Sequence, residues 1–320
     1  MAPSPPRLWI RDNLAQFLFK NFLETLGMES GTYFIIGCGD IGRRVAALIK
    51  ARGSSVTALV RSEESGEVLC TLGINIVAGD LDKPLSLVGL PLKGATLFYF
   101  APPPGGGIID SRMRNFCEAL AAGDVPSKVV YISTSGVYGD CGGKVVTEET
   151  PVHPQTTRAK RRLDAETVLL GWGGARNIPI VILRVTGIYG PGRFPIRYIA
   201  EGQPVICESE APLTNRIHAD DLASVCVAAA ERGIAGDIFN VSDGQVGSMT
   251  EYFCAVADAV GLPRPRQISV PEARHVMSPL MLSYVTESRQ MDNRKMLERL
   301  GVKLHYPNLA SGLRGSIEPQ

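Results

Sequence analysis

The stretch Thr32-Tyr33-Phe34-Ile35-Ile36-Gly37-Cys38-Gly39-Asp40-Ile41-Gly42-Arg43-Arg44-Val45-Ala46-Ala47-Leu48-Ile49 decides the fold. Five β-prone residues run into three glycines at the spacing GxGxxG. Behind them Ile41, Val45, Leu48 and Ile49 fall on one face of a helix that ends near Gly53. A strand, a glycine turn and a helix inside a unit of about 30 residues give this spacing a mechanism. Gly37 permits the tight turn, Gly39 lets a pyrophosphate approach the backbone, and Gly42 lets helix and strand pack closely. Asp40 and Ile41 open the helix, where unpaired N–H groups and the positive dipole end favour an anion. Gly37, Gly39, Asp40, Ile41 and Gly42 are therefore the expected cradle of a dinucleotide.

Outward from this unit, short apolar runs alternate with helical patterns. The runs are Ser55 to Val60, Ile74 to Val77, Ala95 to Phe100, Lys128 to Ile132, Ile178 to Arg184 and Asp237 to Val241. Such alternation predicts an α/β protein with a Rossmann-type, doubly wound parallel sheet. After Tyr189-Gly190-Pro191-Gly192 the texture changes, because Pro195, Pro204 and Pro212 interrupt regular elements. The expected organisation is an NAD(P)-binding domain at 32–190 and a smaller C-terminal substrate lobe at 191–320, with 236–243 returning to the sheet. Helices are expected at Met249 to Val260 and Met291 to Leu300. Residues 1–31 read as a helical extension, since Leu14, Phe17, Leu18, Phe22 and Leu26 recur at helical spacing. Arg7, Arg11 and Lys20 leave an organellar targeting reading open, against which stand Asp12 and Glu24. Met28 is an alternative start.

Charge excludes several classes of partner. With 33 basic and 32 acidic residues the formal charge is +1, so no global field draws nucleic acid or an anionic membrane. The seven cysteines form no CxxC pair and no zinc-like spacing, so no metal is expected and the thiols read as reduced in a cytoplasmic compartment. No apolar run approaches the roughly 20 residues of a membrane span. The expected partner is a small molecule, and a homodimer is compatible with the sequence.

The end of the second strand bears on the choice of cofactor. An NAD site has an acidic residue there for the ribose 2′-hydroxyl, whereas this chain has Arg61 followed by Ser62. A guanidinium pairs bidentately with a 2′-phosphate, with help from Ser62 and from Arg43 or Arg44, so NADP is expected over NAD. Asp80, with Leu81 behind it, closes the third strand and is placed to accept a hydrogen bond from the adenine amino group; an Asp in a polar turn is as ordinary. Cys38 reads either as a thiol activated by the helix start or as a small loop filler.

Further motifs are Gly79-Asp80-Leu81, Ser133-Thr134-Ser135-Gly136-Val137-Tyr138-Gly139, Leu183-Arg184-Val185-Thr186-Gly187-Ile188-Tyr189-Gly190-Pro191-Gly192-Arg193, Ile217-His218-Ala219-Asp220-Asp221-Leu222-Ala223 and Phe239-Asn240-Val241-Ser242-Asp243. With them the chain resembles the extended short-chain dehydrogenase/reductases of the NAD(P)-dependent epimerase/dehydratase family, from about Thr32 nearly to the end. The resemblance implies an oxidoreductase-like protein in which a hydroxyl after the fifth strand, a Tyr and a Lys four residues later move protons. Thr134 matches the hydroxyl, with Ser135 beside it on the substrate side. At the Tyr and Lys positions, within Pro154 to Glu166, stand Arg158 and Arg162, so the resemblance is to the atypical branch that lacks the tyrosine.

An Arg does not release its proton at neutral pH and cannot be the general acid. Arg158 can stabilise an alkoxide, clamp an acidic substrate or simply face solvent, and these readings stay open. Tyr189 and Arg193 are expected to line the nicotinamide end of the cleft and bind substrate there, and His218 to pack between lobes. Thr214 stands where sugar-nucleotide members carry a diphosphate-gripping Arg, so the resemblance does not extend to that substrate. Two functions follow: an NADP-dependent oxidoreductase, epimerase or dehydratase acting on an unidentified small substrate, or a redox-silent NADP-binding sensor or scaffold.

Overall fold

A computed structural model describes residues 31–120 and 124–317 of the chain. The amphipathic helix expected at Leu14 to Leu26 lies outside the described residues. Seven strands form one sheet: β1 (Thr32–Ile36), β2 (Ser55–Val60), β3 (Asn75–Ala78), β4 (Thr96–Tyr99), β5 (Lys128–Thr134), β6 (Ile180–Val185) and β7 (Ile238–Val241). Their order is β7-β6-β5-β4-β1-β2-β3, and every neighbouring pair is parallel. The order reverses between β1 and β4, which opens a crevice beyond the carboxyl ends of those strands.

Alternation along the strands divides the core in two. Ile35 packs on one face of the sheet with Val45 and Ile49, while Phe34 and Ile36 pack on the other with Met113, Phe116, Leu169 and Trp172. Helix α1 (Asp40–Ala51) therefore lies on the first face. The helix Ala219–Arg232 packs across it there, and Met296 and Leu300 of the helix Arg294–Leu300 join the same cluster. The helix Thr157–Gly174 lies on the opposite face, started by Thr156, whose hydroxyl accepts from the Ala159 N–H. The helix expected after Ser248 spans Met249–Ala259 and begins with a capping box between Ser248 and Glu251.

A smaller cluster gathers Tyr189, Ile199, Val205, Tyr252, Phe253, Val256 and Leu313. Between it and the sheet domain's carboxyl edge runs a three-stranded sheet of Gly187–Tyr189, Leu213–His218 and Val246–Ser248. His218 is buried there; its Nδ1 accepts from the Asp220 N–H and its ring lies against Tyr189 and Tyr306. Burial lowers its pKa, so the ring is held neutral as a helix cap.

The helix Thr157–Gly174 is tied to the sheet by a buried ion pair. Arg184 of β6 donates to Glu166 at 2.8 Å and to the Tyr138 hydroxyl at 3.0 Å, and Ser133 of β5 donates to the same carboxylate. Tyr138 in turn donates to Asn240 of β7 at 2.8 Å. Each charge is offset only by this network, so removing one partner leaves the other stranded. Glu166→Ala is expected to cost about 3–5 kcal/mol of stability, read as a lower denaturant midpoint with an unchanged slope. A midpoint equal to that of the parent chain would show that the pair carries no such weight.

Candidate functional site

A cleft of about 640 Å³ opens along the carboxyl ends of β1, β2, β4 and β5. One wall is the glycine turn, with Gly37, Gly39, Asp40, Ile41 and Gly42 all lining the cleft. Gly37 has φ +89°, the left-handed region that favours glycine. A Cβ there would come within 2.7 Å of Ala101 Cα and 2.8 Å of the Phe100 carbonyl carbon. Gly42 is held less tightly, since its Cβ would meet Gly37 O at 3.0 Å and Ile35 Cγ2 at 3.3 Å. Around Gly39 the surroundings are open: a Cβ would find nothing within 4 Å. Gly39 is also the N-cap of α1, and no side chain caps that helix end. The first-turn N–H groups therefore face a space that a phosphate can fill, which is the fit a dinucleotide requires.

Two ends of the cleft can be distinguished by their cations. At the outer end are Arg61, Arg43, Ser65 and Val68, and Arg61 makes no ion pair among the described residues. Ser62 is not in the lining; its hydroxyl caps the helix Glu63–Thr71 and bonds Ser65, which takes its place in the wall. Arg44 turns away to Asp40 and Asp220, so Arg43 is the residue of that pair that faces the cleft. Asp80 accepts from the Asp82 N–H within its own turn and Leu81 is buried in the core; neither lines the cleft. Cys38 does line it, but burial pushes its thiol up to about 11, opposite to the lowering a helix start alone would give.

At the inner end the wall is formed by Pro102, Ile132, Ile188, Arg193 and Arg162. Arg162 donates to the Ile132 carbonyl at 3.0 Å and to the Tyr131 hydroxyl at 3.1 Å, which fixes its charge beside the end of β5. Its signal in the sequence was its spacing of four after Arg158. Thr134 ends β5, and its hydroxyl oxygen accepts from the Gly136 N–H at 3.2 Å. Ser135 is buried in the turn Ser135–Tyr138, and none of Thr134, Ser135 and Arg158 lines the cleft itself. Arg158 lies with its guanidinium 4.1 Å from the Tyr284 ring centroid. Its Nη1 is buried and finds no hydrogen-bond partner among the described residues.

Tyr189 does not line the cleft as expected. It is 0% exposed, its hydroxyl donates to the Asn308 carbonyl at 3.2 Å, and its ring packs edge-on to Tyr252. Its neighbour Ile188 points the other way and takes the lining position, as alternation along a strand demands. A second cavity of about 250 Å³ lies beyond the three-stranded sheet, lined among others by Thr214, Arg216, Asp243 and Tyr252. Arg216 stacks on Tyr252 at 3.8 Å, burial lowers it to about 10, and burial raises Asp243 to about 7. No group of three or more His, Cys, Asp or Glu side chains able to hold a metal is found among the described residues. Nor is any helix among them long and apolar enough to cross a membrane.

Residues 111–242 match the NAD dependent epimerase/dehydratase family. Over that stretch, which is less than half of the chain, the sequence is similar to this family. It is 23% identical over 282 residues to Protein YeeZ of Escherichia coli (strain K12), covering 86% of this chain and 96% of that one. It is 24% identical over 303 residues to a 3-diazoavenalumate denitrifying reductase of a Streptomyces species, with the same coverage. Among solved structures, a functionally unknown conserved protein from Silicibacter pomeroyi matches with a TM-score of 0.74 and 28% identity, over 89% of this chain and 97% of that one. The dTDP-glucose 4,6-dehydratase DesIV from Streptomyces venezuelae, solved with NAD and TYD bound, shares the fold with a TM-score of 0.73 at 18% identity, over 89% and 95% of the two chains. The parallel sheet is thus the fold that these solved structures share.

The contrast between two glycines gives a direct check. Gly39→Val should abolish dinucleotide binding while leaving circular dichroism and melting nearly unchanged, because the new side chain fills ligand space. Gly37→Val should unfold or strongly destabilise the chain, because the space is backbone. A Gly39→Val protein that binds NADP as tightly as the parent would overturn the assignment of the cradle.

Proposed function

We propose that the chain binds NADP(H) in this cleft and acts as an oxidoreductase of the epimerase/dehydratase kind on a small acidic substrate. The observation that carries the reading is a cleft with an open phosphate cradle at Gly39 between an outer cation, Arg61, and an inner one, Arg162. Gly37, Gly39, Ile41 and Gly42 form the backbone cradle. Arg61 and Arg43 supply the positive charge that a ribose 2′-phosphate needs and a 2′-hydroxyl does not. The chain after Gly190, apart from its return to the sheet at Ile238–Val241, supplies the substrate side. Seven free thiols among the described residues support a reducing, cytoplasmic setting.

A bound nicotinamide would supply hydride exchange with a carbonyl or alcohol. The protein's own part is to orient and to stabilise charge. Thr134 uses its oxygen to accept from Gly136 and retains its O–H to donate to a substrate oxygen. Arg158 acts as a fixed cation, its unpaired Nη1 suited to a carboxylate or phosphate group. Tyr284 beneath it holds the guanidinium plane in place. The absence of a titratable acid at residue 158 favours one rival, a redox-silent NADP-binding sensor. NADPH consumption separates the two: an oxidoreductase oxidises it with some member of a panel of small keto acids, and a sensor leaves it unchanged.

Calorimetry on Arg61→Ala is expected to show NADP affinity falling about tenfold or more, the equivalent of about 1.5–3 kcal/mol for a charge-assisted contact, while NAD affinity hardly moves. Equal losses for both cofactors would contradict the choice of NADP. For Arg158, a thermal-shift screen of carboxylates and phosphates with NADP present should give hits on the parent chain that Arg158→Ala loses. A ligand at about 100 times its Kd adds about 2.7 kcal/mol of stability, so such shifts are readable. Hits that shift both proteins equally would place Arg158 outside the site.

A further inference from the structure

The cradle contains a carboxylate where an anion should sit. Asp40 is the first residue of α1 and lines the cleft beside Gly39. A pyrophosphate on the helix N-terminus would bring like charge against it, a repulsion felt strongly in a partly enclosed site. Two arginines answer it. Arg44, one turn along α1, donates to Asp40 at 2.9 Å and also reaches Asp220. Arg193 reaches across from the loop after Gly190 and pairs with the other Asp40 oxygen. Burial works against the ionised carboxylate, but these bonds outweigh it and hold Asp40 below the usual carboxylate range.

The two arginines are placed differently. Arg44 is committed three ways, to Asp40, to Asp220 and, at 3.4 Å, to the Pro191 carbonyl, and it does not line the cleft. Arg193 lines the cleft, and Asp40 is the only side chain among the described residues with which it pairs. Its backbone is anchored by a bond from its N–H to the Gly190 carbonyl at 3.0 Å, so the side chain can turn while the loop stays in place. We propose that Asp40 and the cofactor's pyrophosphate compete for the Arg193 guanidinium. On this account Arg193 binds cofactor and not substrate. Asp40 lowers cofactor affinity, and its pairing with Arg193 joins the glycine turn to the opposite wall across the pyrophosphate's place. This inference rests on the dinucleotide reading of the cleft.

The test is a double-mutant cycle read by NADPH titration on the full chain, using fluorescence, at two salt concentrations. Asp40→Asn should tighten NADPH binding about threefold to tenfold, and Arg193→Met should weaken it by a similar factor or more and flatten its salt dependence. In the Arg193→Met background, Asp40→Asn should recover less than it adds to the parent, because only the direct repulsion remains to be relieved. Melting temperatures measured alongside separate loss of fold from loss of affinity, and Arg193→Lys, which keeps the charge, should retain more of the affinity than Arg193→Met. Asp40→Asn binding that is unchanged or weaker in a folded protein would overturn the competition while leaving the dinucleotide reading intact. A parent chain that binds no NADPH would overturn both, and is told apart by that first titration.

Discussion

A Cβ at Gly37 would lie 2.7 Å from Ala101 Cα, so only glycine lets β1 turn beneath the end of β4, and its φ of +89° asks for the same residue. This close approach sets the start of α1. It brings the uncapped first turn of that helix to the point where the strand order reverses, between β1 and β4. The cleft is the space left by that crossing, and its two cationic ends are fixed by where β2 and β5 finish. The open turn at Gly39 is thus a property of backbone packing, made before any ligand-specific side chain is considered.

The second constraint acts from the far side of the sheet. The helix that carries Arg158 and Arg162 is held by the Glu166–Arg184 pair, which in turn reaches Ser133, Tyr138 and Asn240. One buried network therefore joins β5, β6, β7 and the helix Thr157–Gly174. It places Arg162 on the Ile132 carbonyl and leaves Arg158 to meet Tyr284 of the helix Pro279–Tyr284. Two guanidiniums stand where the family resemblance expects proton-transfer residues. On the proposed function they would stabilise charge and not exchange protons.

The sheet was legible because each strand is an apolar run bounded by turn residues, and parallel strands covered on both faces leave that mark on the sequence. The glycine turn was legible because its three positions are local in the chain. Tyr189 was misplaced because a motif locates a strand end without saying which way alternate side chains point; a one-residue difference put Ile188 in the cleft and Tyr189 in the core. Ser62 read as a phosphate partner, yet a serine just before Glu63 and Glu64 is also an N-cap, and the cap won. The Glu166–Arg184 network and the Asp40–Arg193 pair join residues far apart in sequence, and no periodicity or spacing announces such partners. Cys38 followed its burial and not its position at a helix start.

On the proposed function a dinucleotide lies in this cleft with its pyrophosphate on the first turn of α1. The decisive measurement is a crystal structure of the chain grown with NADP. Pyrophosphate density is expected within hydrogen-bond reach of the backbone N–H groups around Gly39, with the 2′-phosphate at Arg61 and the nicotinamide towards Arg162. Density for the cofactor elsewhere on the protein, or reversed so that the adenosine lies at Arg162, would contradict it.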